Sequence, residues 1–172
     1  VPVLEPVGAN HAWNRRGRLH VAGEGQGPVA LAGRPLQAEE RLRQLNCLTQ
    51  NIYWEAASEP FEGKVAVAQV TMNRWQSGRF ADTLCGVIYQ KNVFYERVIC
   101  QFSWYCDGKP DIPNVKDPGW AKAQVAARMV LEGRVIDFTD GATHFHTDKV
   151  TPNWGFPKVA HIDDHTFYKR NR

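Results

Sequence analysis

The spacing of apolar residues predicts two helices in the first half of the chain. From about Gln37 to Ala56, apolar residues recur every three or four positions, which is the pattern of an amphipathic helix. This helix should end near Ser58, because Pro60 disfavours the helical conformation in the residue before it. The segment 63–76 is apolar on nearly every side of a helical wheel, which predicts a helix buried at the centre of the domain.

The second half is expected to mix helices with short strands. A brief helix is predicted around residues 83–89, and a longer one over 118–132, with Asp117 as its N-cap and Gly133 after its end. The segment 100–113, with its aromatic residues and prolines, predicts a strand or hairpin and a loop. Two short strands separated by a Pro- and Trp-rich loop should follow. The fold class predicted is α+β, mostly helical with a small β element.

The beginning of the chain is expected to stand apart from this fold. It is rich in Gly, Pro, Arg and Ala and has no sustained period, so we predict a flexible N-terminal arm or linker over residues 1–36 and a folded domain over 37–172. The first residue is Val1 rather than Met, which is consistent with the removal of an upstream targeting or anchoring segment.

Composition narrows the classes of function. The chain has 172 residues, 43% of them hydrophobic, which suits one globular domain with a sizeable core. A formal net charge of +3 is too small for electrostatics alone to drive nucleic-acid binding, although it suits an anionic polymer such as a cell envelope. No apolar run approaches the roughly 20 residues that span a bilayer, so we expect no stable membrane insertion.

Four cysteines, Cys47, Cys85, Cys100 and Cys106, lack the CxxC spacing of a zinc ribbon. Two disulfides are expected, with three connectivities possible. The short loop favours Cys100 with Cys106, which leaves Cys47 with Cys85. Disulfides would indicate an oxidising compartment, whereas four buried free thiols are the alternative.

Glu55 is the most informative position for chemistry. It lies about 20° from Leu48 on the helical wheel, at the border of the apolar face. Desolvation there would raise the pKa of the carboxyl, as a general acid working near neutral pH requires. The alternative is a structural glutamate at the wet end of the helix, paired with a cation such as Arg74. Glu59 follows four residues later, but Pro60 disrupts that helical face, so we assign Glu59 a structural role near the site.

The histidines offer a rival chemistry. His144 and His146 would project from one face of a strand, as metal ligands often do. His161 and His165 lie four residues apart, close in sequence to several aspartates. The chain has no HExxH motif, so we expect no metal and no cofactor, and keep a zinc site as the alternative.

Aromatic and amide side chains near these positions suggest a sugar ligand. Trp154 could stack on a sugar ring, while Gln101, Ser103, His144 and His146 could bind its acetamido and hydroxyl groups. The alternative is that most of the rings belong to the core, which is the usual location of aromatic residues.

Several segments, taken together, resemble the cell wall hydrolase family typified by the spore cortex-lytic enzyme SleB. They are YWEAASEP (53–60), GKVAVAQVTMNR (63–74), CQFSWYCDG (100–108), ATHFH (142–146), PNW (152–154) and HIDDHTFY (161–168). The resemblance covers about Leu45 to Tyr168. The chain departs from the family pattern at Ala57 and Ser58, where Arg and Gly are frequent, and at Asp163, where Gly is usual.

This resemblance implies a lysozyme-like fold and a catalytic cell wall hydrolase domain over 37–172 that acts on peptidoglycan. By motif, Glu55 matches the family's single catalytic glutamate and Glu59 the second acid of its ExxxE pattern. We therefore predict a lytic transglycosylase that cleaves the MurNAc–GlcNAc bond. The alternatives are a zinc-dependent cell-wall amidase or peptidase using His144 and His146, and a non-catalytic glycan-binding module.

The predicted partner is the peptidoglycan glycan strand. We expect a monomer that binds no nucleic acid and acts in the bacterial cell envelope, in the periplasm or outside the cell, or is delivered there as a phage lysin.

Overall fold

The computed structural model describes residues 11–13, 19–21 and 35–170 of the chain. Its α-helices are α1 (Pro35–Glu55), α2 (Phe61–Gln76), α3 (Leu84–Ile88) and α4 (Pro118–Leu131), and Ser103–Cys106 forms a 3₁₀ turn. Its strands are β1 (His11–Trp13), β2 (Leu19–Val21), β3 (Lys91–Phe94), β4 (Arg97–Cys100), β5 (His144–Thr147), β6 (Lys158–Ile162) and β7 (His165–Tyr168). The α+β fold predicted from the sequence is confirmed.

Helix α2 lies at the centre of the domain, as its all-round apolar sequence predicts. Every residue from Gly63 to Met72 is buried. Helices α1 and α4 pack against it and against each other. The contact face of α4 carries alanines, among them Ala123 and Ala127, which are fully buried. Small side chains on this face let the helices approach closely, and the apolar surface that they exclude from water stabilises the helical layer.

The helix ends follow local signals in the sequence. Asp117 caps α4 by accepting a hydrogen bond from the backbone N–H of Gly119 at 2.8 Å. Gly133 follows the helix with a φ of +67°, a conformation that glycine adopts without steric cost. Helix α1 ends at Glu55, and a turn then occupies the residues before Pro60.

A small antiparallel sheet with the order β5-β7-β6 packs on α2. Phe167 of β7 is fully buried, in a cluster with Val70 of α2. The sheet contains the two strands predicted beyond α4 and one more, β6.

The hairpin prediction for residues 100–113 was wrong in its position. The hairpin is formed by β3 and β4, which lie before this segment, and the segment itself contains a 3₁₀ turn and a loop. The turn between β3 and β4 places Tyr95 and Glu96 at φ values of 45° and 64°. These residue types are uncommon in the left-handed region, so the sequence carries no ordinary turn signal here.

The predicted arm over residues 1–36 lies mostly outside the described residues. Within it, β1 and β2 pair with each other in an antiparallel arrangement. The boundary between arm and domain stays a prediction.

Both expected disulfides are present, Cys47–Cys85 and Cys100–Cys106. The first joins α1 to α3, and the second joins the end of β4 to the 3₁₀ turn. Among the described residues, none of the helices has the length and apolarity that crossing a bilayer would require.

Candidate active site

A groove of about 250 Å³ opens where the helical layer meets the small sheet. Its walls come from the end of α1, from α2, from the segment after β4 and from β5 with the loop after it. The lining residues are Glu55, Arg74, Cys100, Gln101, Phe102, Ser103, Phe145, His146, Thr147 and Val150. Residues distant in sequence therefore meet in one open cleft.

Glu55 is the acid of this groove. It is the last residue of α1, and its side chain is partly buried. Burial raises the pKa of the Glu55 carboxyl to about 7, although the positive charge of Arg74 acts in the opposite direction. A carboxyl with this pKa is available both as a proton donor and as a proton acceptor near neutral pH.

Lys64 of α2 holds the end of α1 that carries Glu55. The Lys64 side chain is 2% exposed, and its Nζ donates hydrogen bonds to the carbonyl oxygens of Ala56 and Ala57. Carbonyls at a helix C-terminus have no partner within the helix, so an ammonium group satisfies them well. The contact ties the end of α1, where Glu55 lies, to the central helix.

Arg74 is the buried cation of the groove. Its Nε donates a hydrogen bond of 2.6 Å to the carbonyl oxygen of Thr143, and its guanidinium carbon lies 4.8 Å from the centroid of the Phe102 ring. Burial lowers the pKa of Arg74 to about 10, so the guanidinium stays protonated at neutral pH. Its position is set by contacts to two walls of the groove at once.

His146 lines the groove with a fixed ring orientation. Its Nδ1 lies 2.7 Å from the carbonyl oxygen of Thr147, and its Nε2 lies 2.8 Å from the Tyr168 hydroxyl. A carbonyl can only accept, so in the neutral ring Nδ1 carries the proton and Nε2 accepts from the hydroxyl.

His144 and Trp154 lie beside the groove rather than in its lining. The ring centroid of His144 is 5.5 Å from that of Trp154 and 4.9 Å from that of Phe156. Burial lowers the pKa of His144 to about 4, and the charges of Arg74 and two further arginines act in the same direction. His144 is therefore uncharged at neutral pH. The Trp154 side chain is 39% exposed, which leaves part of its ring free to contact a ligand.

Glu59 lies outside the groove lining, on a different contact. Its Oε2 is 3.6 Å from Nδ1 of His165, and the two side chains are 7% and 1% exposed. Gly63 packs against Glu59 and Asp163, since a Cβ there would approach Asp163 Oδ2 to 2.9 Å and Glu59 Cβ to 3.0 Å. The arrangement joins the turn after α1 to strand β7.

The histidines and acids do not assemble a metal site in the part of the chain that the structure describes. No group of three or more His, Cys, Asp or Glu side chains lies close enough there to hold an ion. His161 Nε2 pairs with Asp148 Oδ2 at 3.0 Å.

The structure brings together four of the residues singled out from the sequence: Glu55, Gln101, Ser103 and His146. Arg74 was considered only as an ion-pair partner of Glu55, although a lone arginine inside an otherwise buried helix is a signal for a special role. Thr147 and Val150 were not foreseen, because their approach to the groove depends on how the sheet docks.

Fold and groove together define a lysozyme-like α+β domain in which Glu55, with a pKa raised to about 7, is the one carboxyl among the described residues that line the groove. Residues 58–168 match the family described as Cell Wall Hydrolase, and the chain belongs to this family. The resemblance read from the motifs is thereby confirmed. The matched range begins just after Glu55, so it does not include the candidate acid.

Two solved structures of SleB catalytic domains are similar to this chain in fold and in sequence. The catalytic domain of the Bacillus cereus SleB protein is 26% identical, with a TM-score of 0.59 over 74% of this chain and 91% of that one. The catalytic domain of the germination-specific lytic transglycosylase SleB from Bacillus anthracis is 28% identical, with a TM-score of 0.55 over 73% and 93%.

Curated relatives are longer than the matched region. The spore cortex-lytic enzyme of Bacillus subtilis is 42% identical over 128 residues, and that of Oceanobacillus iheyensis is 32% identical over 129 residues. The alignments cover 72% and 73% of this chain but only 36% and 41% of those proteins.

Proposed function

We propose that this chain is a peptidoglycan-degrading glycosidase, and specifically a lytic transglycosylase that cleaves the bond between MurNAc and GlcNAc. The observation that carries the proposal is Glu55, whose pKa is raised to about 7 by burial at the edge of an open groove. Membership of the cell wall hydrolase family and the likeness to a lytic transglycosylase catalytic domain support the substrate class.

In the proposed reaction Glu55 acts first as acid and then as base. The protonated carboxyl gives its proton to the glycosidic oxygen while the bond from C1 of MurNAc to that oxygen breaks. The resulting carboxylate then removes the proton of the C6 hydroxyl of the same MurNAc, and O6 bonds to C1. The products are a 1,6-anhydro end and a free 4-hydroxyl, and Glu55 ends protonated as it began.

Glu55 is the one carboxyl among the described residues of the groove lining, which favours this route over hydrolysis by two carboxylates. Glu59, the second candidate, contacts His165 and does not line the groove. Gln101, Ser103 and His146 supply amide, hydroxyl and imidazole groups on the groove walls, suited to bind the acetamido and hydroxyl groups of the glycan. His144 and Trp154 provide an adjoining surface on which a further sugar ring could stack.

Mass spectrometry of digested peptidoglycan tests the proposal. Purified sacculi are incubated with the wild-type protein, with Glu55→Gln, and with Glu39→Gln, which removes an exposed carboxyl on the same helix. Each digestion is run with and without a chelator. We expect anhydromuropeptides from the wild type and from Glu39→Gln, none from Glu55→Gln, and no effect of the chelator.

Other products would identify the alternatives. Reducing-end muropeptides that depend on Glu55 would mean that water is the acceptor and that the enzyme is a hydrolase. Cleaved peptides or amides that disappear with the chelator would favour the zinc-dependent amidase or peptidase. Binding to sacculi without any cleavage by the wild type would favour the glycan-binding module.

We further propose that the protein acts as a monomer in the bacterial cell envelope. Two disulfides favour an oxidising compartment, and a net charge of +3 suits an anionic wall polymer. Gel filtration of the full chain checks the monomer, and fractionation of the source cells checks the location.

A further inference from the structure

Arg74 carries a hydrogen-bond donor that the folded protein leaves unused. Its side chain is 4% exposed, and Nη1 is buried with no hydrogen-bond partner. An unpaired donor on a buried charged group costs stability, so such an atom calls for a partner in some state of the molecule. Arg74 lines the same groove as Glu55, and the two groups interact electrostatically.

The guanidinium is held so that it cannot withdraw from the groove. Its Nε donates a hydrogen bond to the carbonyl oxygen of Thr143, and its central carbon lies 4.8 and 6.0 Å from the ring centroids of Phe102 and Phe145. A cation held in this way is preorganised, because it needs no reorientation when charge develops on the Glu55 carboxyl.

We propose that Arg74 is a positioning residue that stabilises Glu55 in its ionised state, between the two proton transfers, with Nη1 as the donor held for that carboxylate. The inference rests on the proposed function of Glu55 as acid and base. Arg74 stays protonated throughout. When Glu55 gives its proton to the glycosidic oxygen, the carboxylate gains the buried donor as a partner, and the partner is released when Glu55 takes the proton of the C6 hydroxyl.

Few other charges act on this pair. The titratable or charged groups around the groove include Glu55 on α1, Arg74 on α2, and His144 and His146 on β5. The charges of Arg79 and Arg170 act on His144, and Asp148 interacts with His146. The end of β4 contributes the disulfide cysteine Cys100, and the segment after it contributes uncharged side chains. The loop after β5 contributes Val150. The positive charge of Arg74 lowers the pKa of Glu55, so removing Arg74 removes that effect.

A titration of Glu55 that needs no substrate tests the inference. Carbon-13 NMR of glutamate-labelled protein follows the Glu55 carboxyl, whose signal is assigned by its absence from Glu55→Gln. In Arg74→Met, which keeps an unbranched side chain against Phe102, the pKa of Glu55 should rise by about 1 pH unit. Arg74→Lys, which keeps the charge, should show a smaller rise. Arg79→Met, which removes an exposed arginine, is the matched control and should leave the titration unchanged.

Kinetics on peptidoglycan supply the second readout. Arg74→Met should lower kcat by about 100-fold or more with little change in KM, and should move the basic limb of the pH profile upward with the NMR midpoint. Arg74→Lys should recover part of kcat, and it keeps the test available if Arg74→Met does not fold.

Two outcomes would overturn the inference. One is an unchanged Glu55 titration in a folded Arg74→Met protein. The other is a loss of kcat that simply follows the loss of thermal stability, which would make Arg74 a structural link between α2 and β5. If instead the Glu55 titration shifts as expected but the products are not anhydromuropeptides, the proposed function fails while the role of Arg74 on Glu55 stands.

Discussion

Burial moves the pKa values of Glu55 and His144 in opposite directions but leaves both side chains with less charge. The pKa of Glu55 rises to about 7 and that of His144 falls to about 4, in each case chiefly because burial disfavours the charged form. Near pH 6 the carboxyl is mostly protonated and the imidazole is neutral. Arg74, with a pKa of about 10, is then the fixed charge beside the acid.

The raised pKa of Glu55 predicts a pH-dependent cost in stability. Between its ordinary value of 4.5 and about 7, the folded protein retains on Glu55 a proton that the unfolded chain has released, so the contribution of Glu55 to stability falls as the pH rises through this window and is constant above it. The full cost is about 3 kcal/mol. Because Gln does not titrate, the free energy of unfolding of Glu55→Gln, relative to that of the wild type, should increase by up to that amount between pH 4 and pH 8.

Urea denaturation at pH 4 and pH 8 measures this difference in the free energy of unfolding. Glu39→Gln, exposed on the same helix, should show almost no change in its difference from wild type between the two pH values. Equal differences for Glu55→Gln at both pH values would mean that Glu55 titrates normally and is a poor candidate for the acid.

Two disulfides tie neighbouring elements together, one in the helical layer and one at the groove wall. The Cys47–Cys85 disulfide closes a separation of 38 residues between α1 and α3, and Cys100–Cys106 closes a separation of 6 residues between β4 and the 3₁₀ turn. A longer closed loop restricts the unfolded chain more. The first crosslink therefore belongs to the stability of the helical layer, whereas the second shapes a groove wall, since Cys100 lines it.

Removing the two disulfides separately should give opposite rankings for stability and for activity. Replacing Cys47 and Cys85 with Ser is expected to cost about 4 kcal/mol, and replacing Cys100 and Cys106 about 2 kcal/mol. The second pair of substitutions should nonetheless reduce peptidoglycan cleavage more at temperatures where both variants are folded. Unfolding in urea measures the loss of stability, and the clearing rate of a sacculus suspension measures the loss of activity. If the variant that loses more stability also loses more activity, the assignment of the second disulfide to the groove wall is contradicted.

The sequence predicted the elements whose apolar positions are buried in the fold or whose ends carry capping residues. Helix α2 was predicted because its apolar residues surround it, and the cap of α4 because Asp117 and Gly133 mark its ends. The β3–β4 hairpin was missed because its apolar residues face solvent: Val93 is 70% exposed and Val98 54% exposed, so neither alternation nor a turn dipeptide marks the strands. Glu55 could be singled out because it lies at the border of the apolar face of its helix. The approach of Thr147 and Val150 to the groove depends on how the sheet docks on the helices, which the sequence pattern does not show.

At the scale of the whole molecule, the groove exists only where the helical layer and the sheet meet. Glu55 and Arg74 come from the helices, and His146 and Thr147 come from β5. Besides the apolar contacts of Phe167 with α2, polar links cross this boundary. Asn73 on α2 donates a 3.0 Å hydrogen bond to the carbonyl oxygen of Ala142. A substitution that removes such a link should therefore lower the free energy of unfolding and disturb the groove, although Glu55 itself is unchanged.

Glu59 can be assigned either to the link between the helical layer and the sheet or to catalysis as a second carboxylate. A substitution of Glu59 separates these two roles. Its Oε2 lies 3.6 Å from Nδ1 of His165 and 3.4 Å from the backbone N–H of Asp164, both on the sheet side. Glu59→Gln keeps the shape and one acceptor but removes the charge, so we expect a loss of about 1–3 kcal/mol in the free energy of unfolding.

At a temperature where the variant is fully folded, the rate of anhydromuropeptide formation should stay within a few-fold of wild type, whereas Glu55→Gln should be inactive although it is folded. Thermal unfolding followed by circular dichroism, with product analysis at that temperature, separates the two roles. A folded Glu59→Gln protein as inactive as Glu55→Gln would show that two carboxylates, and not one, carry the reaction.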